Sequence, residues 1–192
     1  LHGYYINLEV LFDYLKEKKI PVVWTFHDCW AFTGHCPYFD LVGCEKWKAG
    51  CHDCQQKAHH PTSWLMDNSK WNWEKKKELF TALDSLTIVT PSKWLAGLVK
   101  ESFLKDCRVK VINNGININD FKPTEGTFRK DHGLENKKIV LGVSSTWCKS
   151  KGIDDFAELS KKLPDDYKIV LVGLSKEQLT TLPEQILGIE RT

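Results

Sequence analysis

The sequence predicts an α/β protein built from parallel strands, and three observations carry that reading. Short apolar runs at Val22 to Phe26, Leu86 to Val89 and Val109 to Ile112 alternate with segments of helical periodicity, the pattern of strands joined by crossover helices. The alternation stops between Asn117 and Lys137, where Pro123, Gly126 and Gly133 interrupt any periodicity, and it restarts at Lys138. A His27-Asp28 pair stands where the first strand should end, and parallel sheets bind ligands at the carboxyl ends of their strands.

Each element follows from its residues. Leu8, Leu11, Phe12 and Leu15 recur at helical spacing, which predicts an amphipathic helix from about Ile6 to Lys19. Pro21 then resets the chain into the strand ending at Phe26. Beyond a cysteine-bearing loop, Ser69 is placed to cap a helix through about Leu83, before the strand at Leu86. Ser92 precedes Trp94, Leu95, Leu98 and Val99 at helical spacing and leads to the strand at Val109. The second series has a strand over Lys138 to Val143, a helix from about Ile153 to Leu163, a strand over Lys168 to Val172, and a further helix capped by Ser175. The domain expectation is a first unit over residues 1–122 and a second over 123–192, the latter a linker plus the first half of an α/β domain.

Composition sets outer bounds. With 42% apolar residues the chain can bury a core, and 27 basic against 25 acidic residues leave a net charge of +2, which gives no global attraction to nucleic acid. Lys75-Lys76-Lys77 reads as a solvated helix face, a phosphate or anionic membrane contact being the other use of such a run. No apolar stretch approaches the ~18 residues that span a bilayer. Seven cysteines without a secretion signal point to a reducing compartment, the cytoplasm. The chain opens on Leu1, so a fragment is expected.

The loop over residues 27–62 holds Cys36, Cys44, Cys51 and Cys54. Its closing C-x2-C pair can chelate one ion tetrahedrally, as zinc accepts, and the irregular earlier gaps suit a loop folded around an ion better than a zinc finger. Reduced core thiols and disulfides are the competing readings. His35 and His52 lie beside the cluster and could replace a thiolate. With four protein ligands such an ion would be structural, with no open position for a water nucleophile.

The segment GVSSTWCKSKGIDDF (142 to 156) is a strand, a loop and a helix start with Lys151-Gly152 at the entry. Unpaired N–H groups and the helix dipole attract phosphate there. The competing reading is a tight turn at Gly152 beside a solvated Lys151. No G-x-G-x-x-G or Walker loop is present. Of the eight tryptophans, Trp30 and Trp47 flank the site loop and are the candidates for stacking on carbohydrate, the rest reading as packing. His59-His60 reads as exposed polar loop.

Together, HG (2 to 3), TFHDCW (25 to 30), TGHC (33 to 36), GC (43 to 44), GCHDC (50 to 54), PSKWL (91 to 95), VINNGIN (111 to 117), F-x-P (121 to 123) and SKGIDDF (150 to 156) resemble the bacterial glycosyltransferases of family 4, and most closely the subgroup that makes colanic acid and related exopolysaccharides. The resemblance implies the GT-B architecture of two Rossmann-like α/β domains with parallel sheets. It implies transfer, with retention and with no cofactor required for catalysis, from a nucleotide-diphosphate sugar donor to a saccharide or lipid-linked acceptor. By resemblance His27, with Asp28, is catalytic; Lys151, Gly152, Ser145 and Lys149 bind the donor; His2, Gly3 and Trp30 lie on the acceptor side. Thr146 occupies a position where many members carry an arginine, which leaves Lys149 to supply the second charge. The family's E-x7-E segment is expected beyond residue 192 and its glycine-rich opening before Leu1, so the chain alone is expected to have little activity. The resemblance further implies peripheral contact with the inner membrane. A GT-B nucleotide-sugar epimerase and a non-catalytic zinc-stabilised interaction module remain alternatives.

Overall fold

The structure is a computed structural model that describes residues 6–58, 62–63 and 65–191. The chain divides between Asn117 and Ile118 into two compact units. Each holds a three-stranded parallel sheet with strands in sequence order.

In the first unit α1 (Leu8–Glu17) starts at Asn7, whose side chain accepts from the Val10 N–H at 3.1 Å, satisfying one donor left unpaired at a helix start. β1 (Val22–Thr25) pairs with β2 (Leu86–Thr90), and β2 with β3 (Arg108–Val111). The crossovers are α2 (Ser69–Thr81) and α3 (Lys93–Glu101). Ser92 caps α3 as expected, accepting from Leu95 N–H at 3.2 Å. Ser69 does not cap α2. It is the first helical residue, and the carboxylate of Asp67 accepts from its N–H at 2.9 Å, a turn that starts the helix at Ser69 and not after it.

Aromatic residues knit the sheet to its helices. Phe12 of α1 lies 4.7 Å from Phe80 of α2, and Trp24 of β1 meets Phe80 edge-on at 4.9 Å. The series continues through Phe26, Phe32 and Trp47 to Phe39, so the core runs from the sheet into the cysteine loop. Burying each such ring is worth about 1.5–3 kcal/mol. Trp47 is only 1% exposed, which corrects its reading as a stacking candidate: a fully enclosed indole has no face to offer a sugar. Val22 and Trp24 pack on this core, whereas Val23 between them is exposed, the alternation a strand imposes.

The second unit has β4 (Lys138–Val143), β5 (Tyr167–Leu174) and β6 (Ile186–Glu190), with α5 (Ile153–Ser160) and α6 (Lys176–Thr181). A one-turn helix, α4 (Phe128–Asp131), precedes β4. Ser175 and Gln178 form a reciprocal capping box on α6. Trp147, Ile169, Leu171, Leu174 and Ile186 make the core. The sequence does not announce β6, because Gly188 interrupts its apolar run where a side chain would collide with Leu179 and Leu182.

Gly173 interrupts the β5–β6 register with φ +96°, and a Cβ there would stand 1.9 Å from the carbonyl oxygen of Ser144. Gly173→Ala therefore combines backbone strain with a backbone collision and is expected to lower stability by about 2–4 kcal/mol. Gly97, inside α3, has nothing within 4 Å of its added Cβ, so Gly97→Ala is expected to raise stability by about 0.5–1 kcal/mol. Urea unfolding of the two variants, read against the parent chain, checks both signs.

Candidate functional site

The first site is built where β1 stops. Phe26 N–H still donates to Val89 O at 2.8 Å, so the chain leaves the sheet at His27, which is exposed at the carboxyl end of the strand. Asp28 turns the chain: its Oδ1 accepts from Trp30 N–H at 2.8 Å and opens a tight 3-10 turn over Trp30–Phe32. Such side-chain-to-backbone bonds are what give Asp its turn preference.

Lys76 of α2 closes the other end of that turn. Its Nζ donates to Trp30 O at 2.7 Å and Thr33 O at 2.9 Å and lies 3.6 Å from the centre of the Trp30 ring. The residue is 6% exposed, which corrects the reading of Lys75-Lys76-Lys77 as a uniformly solvated face. Helical geometry separates the three: Lys76 shares a face with the buried Trp73, Leu79 and Phe80, while Lys75 pairs with Glu9 and Glu78, and Lys77 stays exposed. Burial pulls the Lys76 amine down to about 7, opposed by the nearby Cys51, Asp28 and Cys36. A run of three lysines carries no signal of which one is buried until the helix phase is known.

The cysteine loop folds onto the same core. All seven cysteines are unbridged; Cys29 and Cys36 are buried, and Cys44, Cys51 and Cys54 are half-buried. Gly34 N–H donates to Cys51 Sγ at 3.1 Å, and a Cβ on Gly34 would stand 2.6 Å from Cys51 Cβ and 2.0 Å from Ser69 O, so only glycine allows this approach. Asp67 fastens the far end, accepting from Cys54 N–H at 2.6 Å. Burial alone would raise the Asp67 carboxyl, but hydrogen bonds from Ser69 and Cys54 hold it below its ordinary value. Burial raises the thiols of Cys29 and Cys36 to about 12 and that of Cys51 to about 11, so these groups are protonated and unreactive as placed. Cys36 shares a side-chain hydrogen bond with Cys54 and feels Cys44 and Cys51. Even so, among the described residues no group of three or more His, Cys, Asp or Glu side chains is arranged to hold a metal ion. His52 is exposed and paired with Asp53 at 3.0 Å.

The second site lies in the second unit, at the carboxyl end of β4. Trp147 anchors the loop, its Nε1 donating to Val172 O at 2.9 Å while Gln178 Nε2 donates to Trp147 O at 2.9 Å. This pins a short turn over Lys149–Lys151 that leaves both lysines exposed. Gly152 follows at φ +73° and starts α5 without a side-chain cap. Arg191, just past β6, donates from Nη1 to Ser145 O at 3.1 Å. Nothing in the sequence marks Arg191, since the β4–β5–β6 order alone brings it to Ser145. Asp154 and Asp155 occupy the first turn of α5 and already use the helix dipole, so charge for an anion there comes from Lys149, Lys151 and Arg191.

His27, Asp28, Trp30 and the four loop cysteines thus share the first unit, and Ser145, Lys149, Lys151 and Gly152 share the second. His2 and Gly3, like His59, His60 and Trp64, lie outside the described residues.

Residues 1–120 match the Glycosyltransferase Family 4 profile. The chain belongs to glycosyltransferase family 4. Among relatives, it is 32% identical over 125 residues to the putative colanic acid biosynthesis glycosyl transferase WcaC of Escherichia coli K12, covering 62% of this chain and 30% of that protein. It is 31% identical over 93 residues to the processive diacylglycerol alpha-glucosyltransferase of Acholeplasma laidlawii, covering 46% of this chain and 28% of that one. The chain therefore spans less than a third of each family relative's length. Anabaena Alr3699/HepE, solved with UDP-glucose, superposes on 96% of this chain with a TM-score of 0.52 at 18% identity, using 46% of that structure; the form solved with UDP and glucose gives 0.53, also at 18% identity. The shared fold is the α/β class of the GT-B enzymes, here with a parallel sheet in each unit.

The buried amine makes a signed pH prediction. An unfolded lysine titrates near ~10.4, so from about 7 upward the unfolded chain holds a proton that folded Lys76 releases, and stability rises with pH. The raised thiols act oppositely once unfolded cysteine ionises near ~8.5. Between about pH 7 and 8.5 the parent chain is expected to gain stability, and Lys76→Met to abolish that gain. Urea midpoints measured across the interval check it.

Proposed function

We propose that this chain supplies acceptor-side and donor-side surfaces of an enzyme that transfers a sugar from a nucleotide-diphosphate donor to a saccharide or lipid-linked acceptor in polysaccharide synthesis. The observation that carries the reading is that the loop after β4 exposes Lys149 and Lys151 and takes a hydrogen bond at Ser145 O from Arg191, just past β6, at the strand ends where α/β folds bind ligands. Arg191 joins Lys149 in supplying the second charge that Thr146 does not. Fixed cations stabilise the charge that develops on a departing diphosphate, which gives Lys151 its role. His27, exposed at the end of β1, is the catalytic candidate in this reading, with Asp28 shaping its loop. Retention of configuration and peripheral contact with the inner membrane rest on the family resemblance, and a cytoplasmic location rests on seven unbridged cysteines. Among the described residues no helix is long and apolar enough to cross a membrane.

For the cysteine loop we propose that a Zn²⁺ drawn into Cys36, Cys44, Cys51 and Cys54 is architectural. The sulfurs gather on the core but do not yet form a ligand set, so binding would draw them together and expel their protons.

Two measurements test these readings. UDP-glucose is expected to bind the chain, and Lys151→Ala or Arg191→Ala to weaken it roughly tenfold or more, since a charged hydrogen bond is worth about 1.5–3 kcal/mol. Calorimetric titration showing no binding, or binding that both variants leave intact, removes the donor assignment. For the loop, elemental analysis is expected to find one zinc per chain, and a strong chelator to lower the unfolding temperature. A metal-free chain indifferent to chelator returns the cysteines to core packing.

A further inference from the structure

The first unit contains a cavity of about 350 Å³ between the start of α1, the loop that His27 begins and the first turns of α2. That volume falls in the range of small-molecule sites. Its wall is unlike the core beside it. Trp71 on α2 is 61% exposed and has no ring partner among the described residues, whereas Trp73, two residues on, is buried with its Nε1 bonded to Trp47 O. The cavity also meets Asn7 and Asn72. The Asn7 Oδ1 is spent on capping α1; its amide N–H groups, and the whole carboxamide of Asn72, make no protein hydrogen bond among the described residues. Glu9 and Lys75 pair at 2.6 Å across one side, and Trp30 links the cavity to the His27 loop.

This combination selects among ligand classes. A phosphate or nucleotide needs uncommitted cations, but Lys75 is paired twice and Lys76 is buried against carbonyls. An acyl chain needs an unbroken apolar wall, which the carboxamides and the ion pair interrupt. A pyranose has an apolar C–H face for an indole and hydroxyls for amides and carboxylates. We infer that this cavity is a subsite for a neutral saccharide, with Trp71 as its stacking platform. The inference rests on the glycosyl-transfer reading, in which the occupant is a sugar of the acceptor.

The test is saturation-transfer NMR of the chain with methyl glycosides of glucose, galactose and mannose and with cellobiose and lactose. At least one of these is expected to bind; Trp71→Ala weakens it about three- to tenfold, the order an aromatic face contributes, and Trp71→Phe restores most of the loss. Trp94, equally exposed but on α3 and outside the cavity, is the control: Trp94→Ala is expected to change nothing. UDP-glucose binding, measured on the same samples, is expected to be indifferent to Trp71. Absence of saccharide binding, or binding that Trp71→Ala leaves unchanged, overturns the subsite. If UDP-glucose still binds in a Lys151-dependent way, the donor reading survives that failure; loss of UDP-glucose binding in the parent chain removes the donor reading separately.

Discussion

The buried ammonium of Lys76 is the constraint on which the first unit's site depends. Two carbonyls and one indole face of the turn after His27 converge on it. Each charged hydrogen bond contributes about 1.5–3 kcal/mol and the indole face about 2. Stripping water from the amine costs several kcal/mol in return. With the amine pulled down to about 7 by burial, that cost outweighs these contacts, so what Lys76 gives the protein is position more than stability. It fixes Trp30 and the Asp28 turn to α2, whose own place is set by Phe80 against Phe12 and Trp24.

The loop between β1 and α2 behaves as core rather than as surface for the same reason. Long connections without regular structure are uncommon in compact domains, and this one is held by rings. Phe32, Phe39 and Trp47 extend the aromatic series of the sheet, while Asp67 and the Gly34–Cys51 contact tie its later part to the start of α2. Protonated cysteines suit such an interior as small apolar groups. The same burial that packs them raises their pKa, so a metal entering there has to displace protons and draw the sulfurs together against existing packing.

The elements legible in the sequence are those whose signal is local. Ser92 and Ser175 cap the helices they precede because an N-cap bond spans three residues, and the β-branched runs at Val22, Leu86 and Lys138 become strands because their neighbours end in turns. What was not legible depends on partners far along the chain. Lys76 bonds carbonyls more than forty positions away, Arg191 meets Ser145 only through strand order, and the burial of Trp47 follows from how Phe32 and Phe39 close on it. His27 and Lys151 were legible as strand-end and helix-entry residues. Their environments were not, since these depend on Lys76 in one unit and on Trp147 and Gln178 in the other.

The two units differ in the charge they present. In the second, three cations stand at the strand ends while Asp154 and Asp155 occupy the adjoining helix start, an arrangement that favours an anion held by side chains over one held by the dipole. In the first, the cations around the site are spent: Lys75 on Glu9 and Glu78, Lys76 on carbonyls. What remains there is aromatic surface, carboxamide and an exposed imidazole, chemistry suited to a neutral hydroxylated ring. By committing its lysines internally, the first unit keeps one surface structurally defined and electrostatically quiet.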